Sequence, residues 1–241
     1  MSSQRDGRAP TTGTFAHEYE SLAELDPIFA SLIDIHGHPN PFEWHDGGRT
    51  GSSLFAALVL HIVSQRVSAT AAFRVFDRIA VAGGGNPSPD SLLALGLDGL
   101  RNAGLSWAKA SYLEDLATRQ RAGLLDVERM AARSDSDVIT TLTAVRGIGL
   151  WTAQMFLMRQ LHRPDVLPAG DTGIRRAVQL CWGLGTFPTI DDVARRATAW
   201  TPRRSFAAGL LWRSLCPPGV ASDQKERALL RESGRAEATA D

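Results

Sequence analysis

Apolar residues recur along this chain at intervals of three and four, and nowhere do they alternate with polar ones over the length of a strand. That period predicts an all-α protein built from about ten short helices. Between Glu18 and His36 the positions Leu22, Leu25, Ile28, Phe29, Leu32 and Ile33 keep helical spacing, with Asp26-Pro27 opening a second helix. Pro39 to Thr50, rich in Pro, Gly and His, predicts a connecting loop. Ser52 or Ser53 caps a helix whose broad apolar face (Phe55, Leu58, Val59, Ile62, Val63) ends at Ser64-Gln65-Arg66-Val67. Ser68 opens the next, which carries Ala72, Phe73, Phe76, Ile79 and Ala80 to a stop at Gly83-Gly84-Gly85. Ser88-Pro89 starts a helix through Leu97, a further turn runs from Asp98 to Ala103, Gly104 ends it, and Ser106 caps Trp107 to Ala117. Near the C-terminal end come a capping box in Thr189-Ile190-Asp191-Asp192 and an apolar helix around Phe206 to Leu215, stopped by Pro217-Pro218.

Between these lies Leu142-Thr143-Ala144-Val145-Arg146-Gly147-Ile148-Gly149-Leu150-Trp151-Thr152-Ala153. Two glycines bracket one apolar residue between a helical run before (Val138, Leu142, Val145) and another after (Ala153, Phe156, Leu157, Leu161), which predicts two short helices joined by a tight turn. Without Cβ atoms at Gly147 and Gly149, backbone N–H groups at the start of the second helix can approach an anion such as a DNA phosphate. A plain αα-hairpin uses the same glycines for tightness alone, and the turn by itself does not separate the two readings. Downstream, Pro168-Ala169-Gly170-Asp171 sets a carboxylate just before Ile174-Arg175-Arg176-Ala177-Val178, where Asp suits a helix N-cap. Beside a phosphate-gripping turn, that carboxylate also suits stabilisation of positive charge developing on a sugar, which cleavage of an N-glycosidic bond requires. The two roles are compatible.

Composition narrows the classes. A chain of 241 residues can bury a core in one large or two small domains. Its 26 Lys and Arg balance 26 Asp and Glu, which argues against a nonspecific nucleic-acid coat. The charge is uneven, however: from Arg146 to Arg213 arginines outnumber the acids Asp165, Asp171, Asp191 and Asp192. A basic half facing phosphate fits that pattern, and ordinary solvated helix faces account for part of it. Cys181 and Cys216 make neither a metal-ligand spacing nor a disulfide framework, so both are expected reduced and buried. His36, His38 and His45 lack the carboxylate or cysteine that completes a metal site. No apolar run reaches membrane-spanning length and Met1–Gly13 has no signal-peptide core, which predicts a soluble, cytoplasmic protein. Residues 1–15 read as disordered, and residues 222–241 as a charged tail, helical or frayed, with no assigned role.

Four stretches together resemble the helix-hairpin-helix DNA glycosylase superfamily, and within it the 3-methyladenine DNA glycosylase II branch. They are Ile62-Val63-Ser64-Gln65-Arg66-Val67-Ser68; Leu100-Arg101-Asn102-Ala103-Gly104-Leu105-Ser106 with Lys109-Ala110 and Tyr112-Leu113; Gly147-Ile148-Gly149 with Trp151-Thr152-Ala153; and Leu167-Pro168-Ala169-Gly170-Asp171. A fifth, Trp200-Thr201-Pro202-Arg203-Arg204-Ser205-Phe206-Ala207 reaching Trp212, matches the family's closing helix. The resemblance implies two helical subdomains, one of residues 51–164 carrying the hairpin at about 137–161, the other of residues 16–50 plus 165–217, with the active site in a cleft between them. It implies Asp171 as catalytic carboxylate and Trp151, Met155 and Trp212 as base-pocket walls, Met155 replacing a more usual aromatic; as an alternative, both tryptophans are plain core. Gln65, Arg66, Arg146, Gly147, Ile148, Gly149, Thr152, Arg204 and Ser205 fall at DNA-binding positions, Arg66 where relatives place the residue that fills the gap left by a flipped base. The implied partner is double-stranded DNA containing damaged bases, bound by a monomer.

The implied reaction is release of alkylated purines such as 3-methyladenine and 7-methylguanine by base flipping and hydrolysis. Bifunctional relatives carry a Schiff-base lysine just after the hairpin; here that position is Trp151, and the chain's two lysines, Lys109 and Lys225, lie elsewhere in the sequence, so a monofunctional enzyme is expected. Two cysteines cannot ligate the iron–sulfur centre of some relatives, and no small-molecule cofactor is expected. In the family the hairpin often holds a monovalent cation, Na+ or K+, through backbone carbonyls, here those of Thr143, Val145 and Ile148. The chain departs from the family pattern at Arg146, where a proline usually opens the hairpin. Two further readings stay open: a DNA-binding module without catalysis, and a glycosylase for hypoxanthine, uracil or an etheno-adduct.

Overall fold

The computed structural model describes residues 15–218, 220 and 223–238, so the stretch expected to be disordered lies, Phe15 apart, outside the described residues. No strand forms among them, and the helical period is realised nearly turn for turn. α1 (Ala16–Leu25) and α2 (Pro27–His36) divide at Asp26, whose carboxylate accepts the Ile28 N–H at 2.9 Å while Pro27 takes the first helical position. α3 (Leu54–Ser64) is capped by Ser53 and α4 (Ala69–Ala82) by Ser68. α5 (Pro89–Asn102) bends at Gly96 (φ 60°, ψ −177°), close to the break expected after Leu97. α6 (Trp107–Arg121), α7 (Asp135–Thr143) and α8 (Leu150–Arg159) follow, with a 3-10 turn at Met130–Ala132. α9 (Thr172–Cys181), α10 (Ile190–Arg196), a 3-10 turn at Ala197–Trp200, α11 (Arg204–Arg213) and α12 (Gln224–Ala238) complete the described chain.

The chain divides into two compact units, one gathering the residues up to Glu43 with Arg163–Val220, the other Trp44–His162 with the residues from Ala221 on. In the first, α11 packs on α1, α2 and α9. Aromatic rings set its core: Tyr19 meets Phe206 edge-on at 5.6 Å, and Phe29 meets Trp200 at 5.2 Å, arrangements that ring quadrupoles favour. Burial pushes the Tyr19 hydroxyl far above its ordinary range, and the nearby Glu18 charge adds to this. The phenol therefore stays neutral and donates to the Pro39 carbonyl. Trp182 donates to the free oxygen of the α2 cap, Asp26 Oδ2, at 3.0 Å. Cys181 and Cys216, expected buried, are free thiols in half-buried positions.

In the second unit α3 is buried on every side, all of Phe55–Val63 being enclosed and apolar except for His61, which makes it the central helix on which α4 and α6 pack. The charged C-terminal segment is a helix, α12, lying along α4. Arg49 holds it there: its guanidinium covers the Phe73 ring at 4.3 Å and pairs with Asp77 at 2.9 Å and with Glu232 of α12 at 3.2 Å. Lys225 of α12 sits 3.4 Å above the Trp44 ring. Among the described residues no helix is long and apolar enough to cross a membrane.

Candidate functional site

In the second unit α7 and α8 meet through the expected tight turn, anchored by the buried side chains of Val138, Leu142, Val145 and Ile148. The Ile148 N–H closes it on the Val145 carbonyl at 3.1 Å. Its two glycines answer to different causes. Gly147 has φ 80°, and a Cβ there would come within 2.1 Å of the Tyr112 ring, so the fold itself demands glycine. Gly149 has φ −91° and ψ 173°, which any residue adopts, and a Cβ there would meet nothing within 4 Å. Nothing inside the chain requires its smallness. Gly149 is also the N-cap of α8 and supplies no capping side chain, whereas α2 to α7 all begin under a Ser or Asp cap. The cap of α8 thus supplies no side-chain acceptor to the first-turn N–H groups.

Arg146, where the resemblance leads one to expect proline, has a physical reason. Its backbone N–H donates to Asp115 Oδ2 at 2.9 Å, a bond proline cannot make, and its guanidinium lies 3.8 Å from Oδ1 and donates to the Ser111 carbonyl at 3.3 Å. Burial raises the Asp115 pKa, but the bonds from the Arg146 N–H and from Arg119 outweigh it and hold the carboxyl below its usual range.

The loop after α3 is tied to this turn. Gln65 Nε2 donates to the Gly147 carbonyl at 2.9 Å, and Lys109 Nζ donates to the carbonyls of Val63 at 2.7 Å and Gln65 at 2.6 Å. Lys109, remote from the hairpin in sequence, is therefore linked to it through Gln65. It supplies the charged donor that the last carbonyls of a helix lack. Burial lowers its pKa. Arg66 follows, exposed and in the left-handed region at φ 54°, a conformation that costs a non-glycine residue about 1 kcal/mol or more.

In the first unit Asp171 caps α9. Its Oδ1 accepts the Ile174 N–H at 3.0 Å and the indole N–H of Trp212 at 3.1 Å. Gly173 makes room for this: a Cβ there would lie 2.9 Å from Asp171 Oδ1 and 3.4 Å from the Trp212 ring. Trp212, expected as a pocket wall, orients the carboxylate. Asp171 is half-buried, so its carboxyl is neither sealed in the core nor fully in water.

Two residues at expected DNA-binding positions also serve inside the fold. Ser205 is fully buried; its hydroxyl takes the Val166 N–H at 3.1 Å and donates to the Arg163 carbonyl at 2.7 Å, so its side chain cannot reach a strand. It pins the start of the loop that ends at Asp171. Arg204 grips Asp165 with a two-point pair at 2.7 and 2.9 Å and braces the same loop. Thr152 is only 4 % exposed, so any phosphate contact would come from its backbone, while Trp151 on the same helix is 45 % exposed and Met155 is buried.

The structure brings Asp171, Gly173 and Trp212 together in one unit, and Gln65, Lys109, Tyr112, Arg146 and Gly147 together in the other. Among the described residues no three His, Cys, Asp or Glu side chains cluster as a metal site; His38 stacks on Tyr19 at 5.0 Å and His45 lies 4.0 Å from Glu226.

Residues 59–203 match the HhH-GPD superfamily of base-excision DNA repair proteins. Over 196 residues the chain is 29 % identical to DNA-3-methyladenine glycosylase 1 of Schizosaccharomyces pombe, an alignment spanning 80 % of this chain and 84 % of that one. Its fold is similar to the crystal structure of a DNA-3-methyladenine glycosidase from Bacillus halodurans (TM-score 0.69, 30 % identity, 83 % of this chain and 90 % of that one). It is similar also to the S. pombe 3-methyladenine DNA glycosylase in complex with abasic DNA (TM-score 0.69, 26 % identity, 86 % and 99 %).

The unequal demands on the two hairpin glycines predict opposite thermal behaviour. Gly147→Ala, which drives a methyl into Tyr112, should cost about 2 kcal/mol or more and lower Tm by roughly 4–8 °C. Gly149→Asp, which adds a favourable N-cap, should hold Tm or raise it slightly. Calorimetry of both variants checks this, and equal losses would contradict the assignment.

Proposed function

Since the chain belongs to the HhH-GPD superfamily of base-excision DNA repair proteins, we propose that it is a monofunctional DNA glycosylase that removes alkylated purines and leaves an abasic site. The observation that carries this reading is the Asp171 carboxylate, fixed through one oxygen by two N–H donors over a glycine. A base leaving C1′ of its nucleotide takes the bonding electrons with it, and the sugar becomes an oxocarbenium-like cation. A fixed carboxylate stabilises that charge without having to reorganise as it forms.

The reaction requires the nucleotide to leave the duplex, because the glycosidic bond is shielded within the stack. On this reading the first turn of α8, which begins at a glycine with no capping side chain, binds a strand phosphate through backbone N–H groups next to Gly149, and Arg66 fills the gap left in the stack. Lys109 and Gln65 are positioning residues that hold the Arg66 loop against the hairpin. An alkylated purine already carries positive charge and is a good leaving group; the exposed ring of Trp151 offers it a stacking face. Water completes the reaction at C1′, since the residue after the hairpin is Trp151 and not an amine nucleophile. The partner is double-stranded DNA bearing a damaged base, and the protein acts as a monomer. A monovalent cation suits the carbonyls of Thr143, Val145 and Ile148, which are hard oxygen donors at the turn; when bound, it adds positive charge beside the phosphate.

Three outcomes are expected. In a panel of duplexes each with one defined lesion, the wild-type protein releases 3-methyladenine or 7-methylguanine, and Asp171→Asn loses about 10²–10³-fold in rate. Release confined to hypoxanthine, uracil or etheno-adducts would contradict the substrate, and unchanged release by Asp171→Asn would contradict the catalytic assignment. Gly173→Ala should leave Tm within a few degrees of wild type, because alanine's helix preference of about 1 kcal/mol offsets a weakened Asp171 cap of similar size, while its kcat falls by up to about 100-fold as the carboxylate is displaced. A kcat equal to wild type would sink that role. Finally, the product strand should remain intact on a denaturing gel until alkali or heat is applied; spontaneous nicking by the pure protein would contradict a monofunctional mechanism.

A further inference from the structure

The C-terminal helix carries charge that its docking does not use. α12 lies on α4 through Ala228, which is buried, with Leu229 beside Gly47, Lys225 over Trp44 and Glu232 on Arg49. Its two described acids are occupied: Glu226 is 4.0 Å from His45, and Glu232 pairs with Arg49 at 3.2 Å. Arg227 and Arg231 stand one helical turn apart on a neighbouring stripe. Neither forms an ion pair among the described residues. Both instead line a cavity of 210 Å³ with Gln224, also of α12, and with Ser68 and Thr70 at the start of α4. No acidic side chain lines it.

The cavity's place in the chain gives it a ligand. Ser68 is two residues beyond Arg66, so their Cα atoms lie within about 8 Å of each other. A strand whose stack is entered by Arg66 would carry its flanking phosphates past this opening. Two guanidinium groups beside a hydroxyl and an amide make a donor set suited to a phosphodiester, which accepts paired N–H bonds from arginine. We propose that Arg227 and Arg231 form a second backbone clamp, in which the C-terminal helix holds a phosphate of the DNA strand next to the Arg66 loop. The inference rests on the glycosylase reading above, which places Arg66 in the DNA. It extends the DNA-binding surface from the hairpin to a segment outside residues 59–203, the part matched to the superfamily.

The test uses the full chain and a duplex holding one stable abasic analogue. Binding is measured across a salt series for the wild type, for the Arg227→Ala/Arg231→Ala double variant and for Arg227→Lys/Arg231→Lys. Each lost phosphate contact should reduce the slope of log K against log salt by about 0.9, so the alanine pair should flatten it by about 1–2 and weaken binding most at low salt. The lysine pair, which keeps the charge, should recover most of the slope. Inorganic phosphate is titrated in parallel as a probe. If it binds in an Arg227- and Arg231-dependent way while the DNA salt slope stays at the wild-type value, the cavity takes a free anion and the DNA assignment is overturned. An alanine pair with wild-type slope and affinity also overturns it, leaving the glycosylase reading intact. A wild-type protein that neither binds the duplex nor releases a base removes both.

Discussion

One carboxylate oxygen, receiving two N–H groups above a residue that has no side chain, is the constraint on which the proposed chemistry of this protein depends. Asp171 Oδ1 serves the α9 backbone at Ile174 and the indole of Trp212 at once, and it does so in a space that a Cβ on Gly173 would occupy. A carboxylate held in this way loses little further freedom when positive charge forms beside it, which is the condition for electrostatic stabilisation to lower a barrier. The surrounding polar contacts serve the same end. Ser205 fixes the backbone at Arg163 and Val166, and Arg204 clamps Asp165, so the loop running into Asp171 is tied at its far end as well. The capping role and the proposed chemical role of Asp171 therefore share one geometry.

The hairpin shows a comparable division between what the fold needs and what a ligand needs. Tyr112 occupies the space below Gly147, and Asp115 takes the backbone N–H of Arg146, so both sides of the turn are fixed by α6. Gly149 is shaped by no neighbour, and it leaves the first turn of α8 without the side-chain acceptor found on most helices of the chain. A glycine that packing does not explain, at a helix start with no capping side chain, is what the proposed close approach of an anion from outside requires. Lys109 and Gln65 then bind the neighbouring loop to the same turn.

Much of this was legible in the sequence because it is local. The caps at Asp26, Ser53, Ser68, Ser88, Ser106 and Thr189, the hairpin and the position of Asp171 before α9 all follow from residue types a few places apart. What the sequence conceals is long-range. Gly173 reads as an ordinary glycine in a helix start, and only its distance to Trp212 explains it. Lys109 reads as remote from the turn because 38 residues separate it from Gly147, although one intervening side chain joins them. Ser205 and Arg204 fall where the resemblance leads one to expect DNA contacts, yet Ser205 is sealed and Arg204 is paired with an acid that no spacing rule connects to it. The C-terminal segment reads by composition as a charged tail, helical or frayed; what the composition does not show is that Arg49 and Trp44 supply partners for its charges.

If Asp171 acts by stabilising a cationic sugar, the protein should recognise that charge directly. The decisive measurement compares binding of two otherwise identical duplexes, one carrying a cationic pyrrolidine and one a neutral tetrahydrofuran in place of the damaged nucleotide. The wild type should prefer the cation by about tenfold or more, the scale of one charge-assisted contact, and Asp171→Asn should bind both alike. A preference for the cation that survives unchanged in Asp171→Asn would contradict the account.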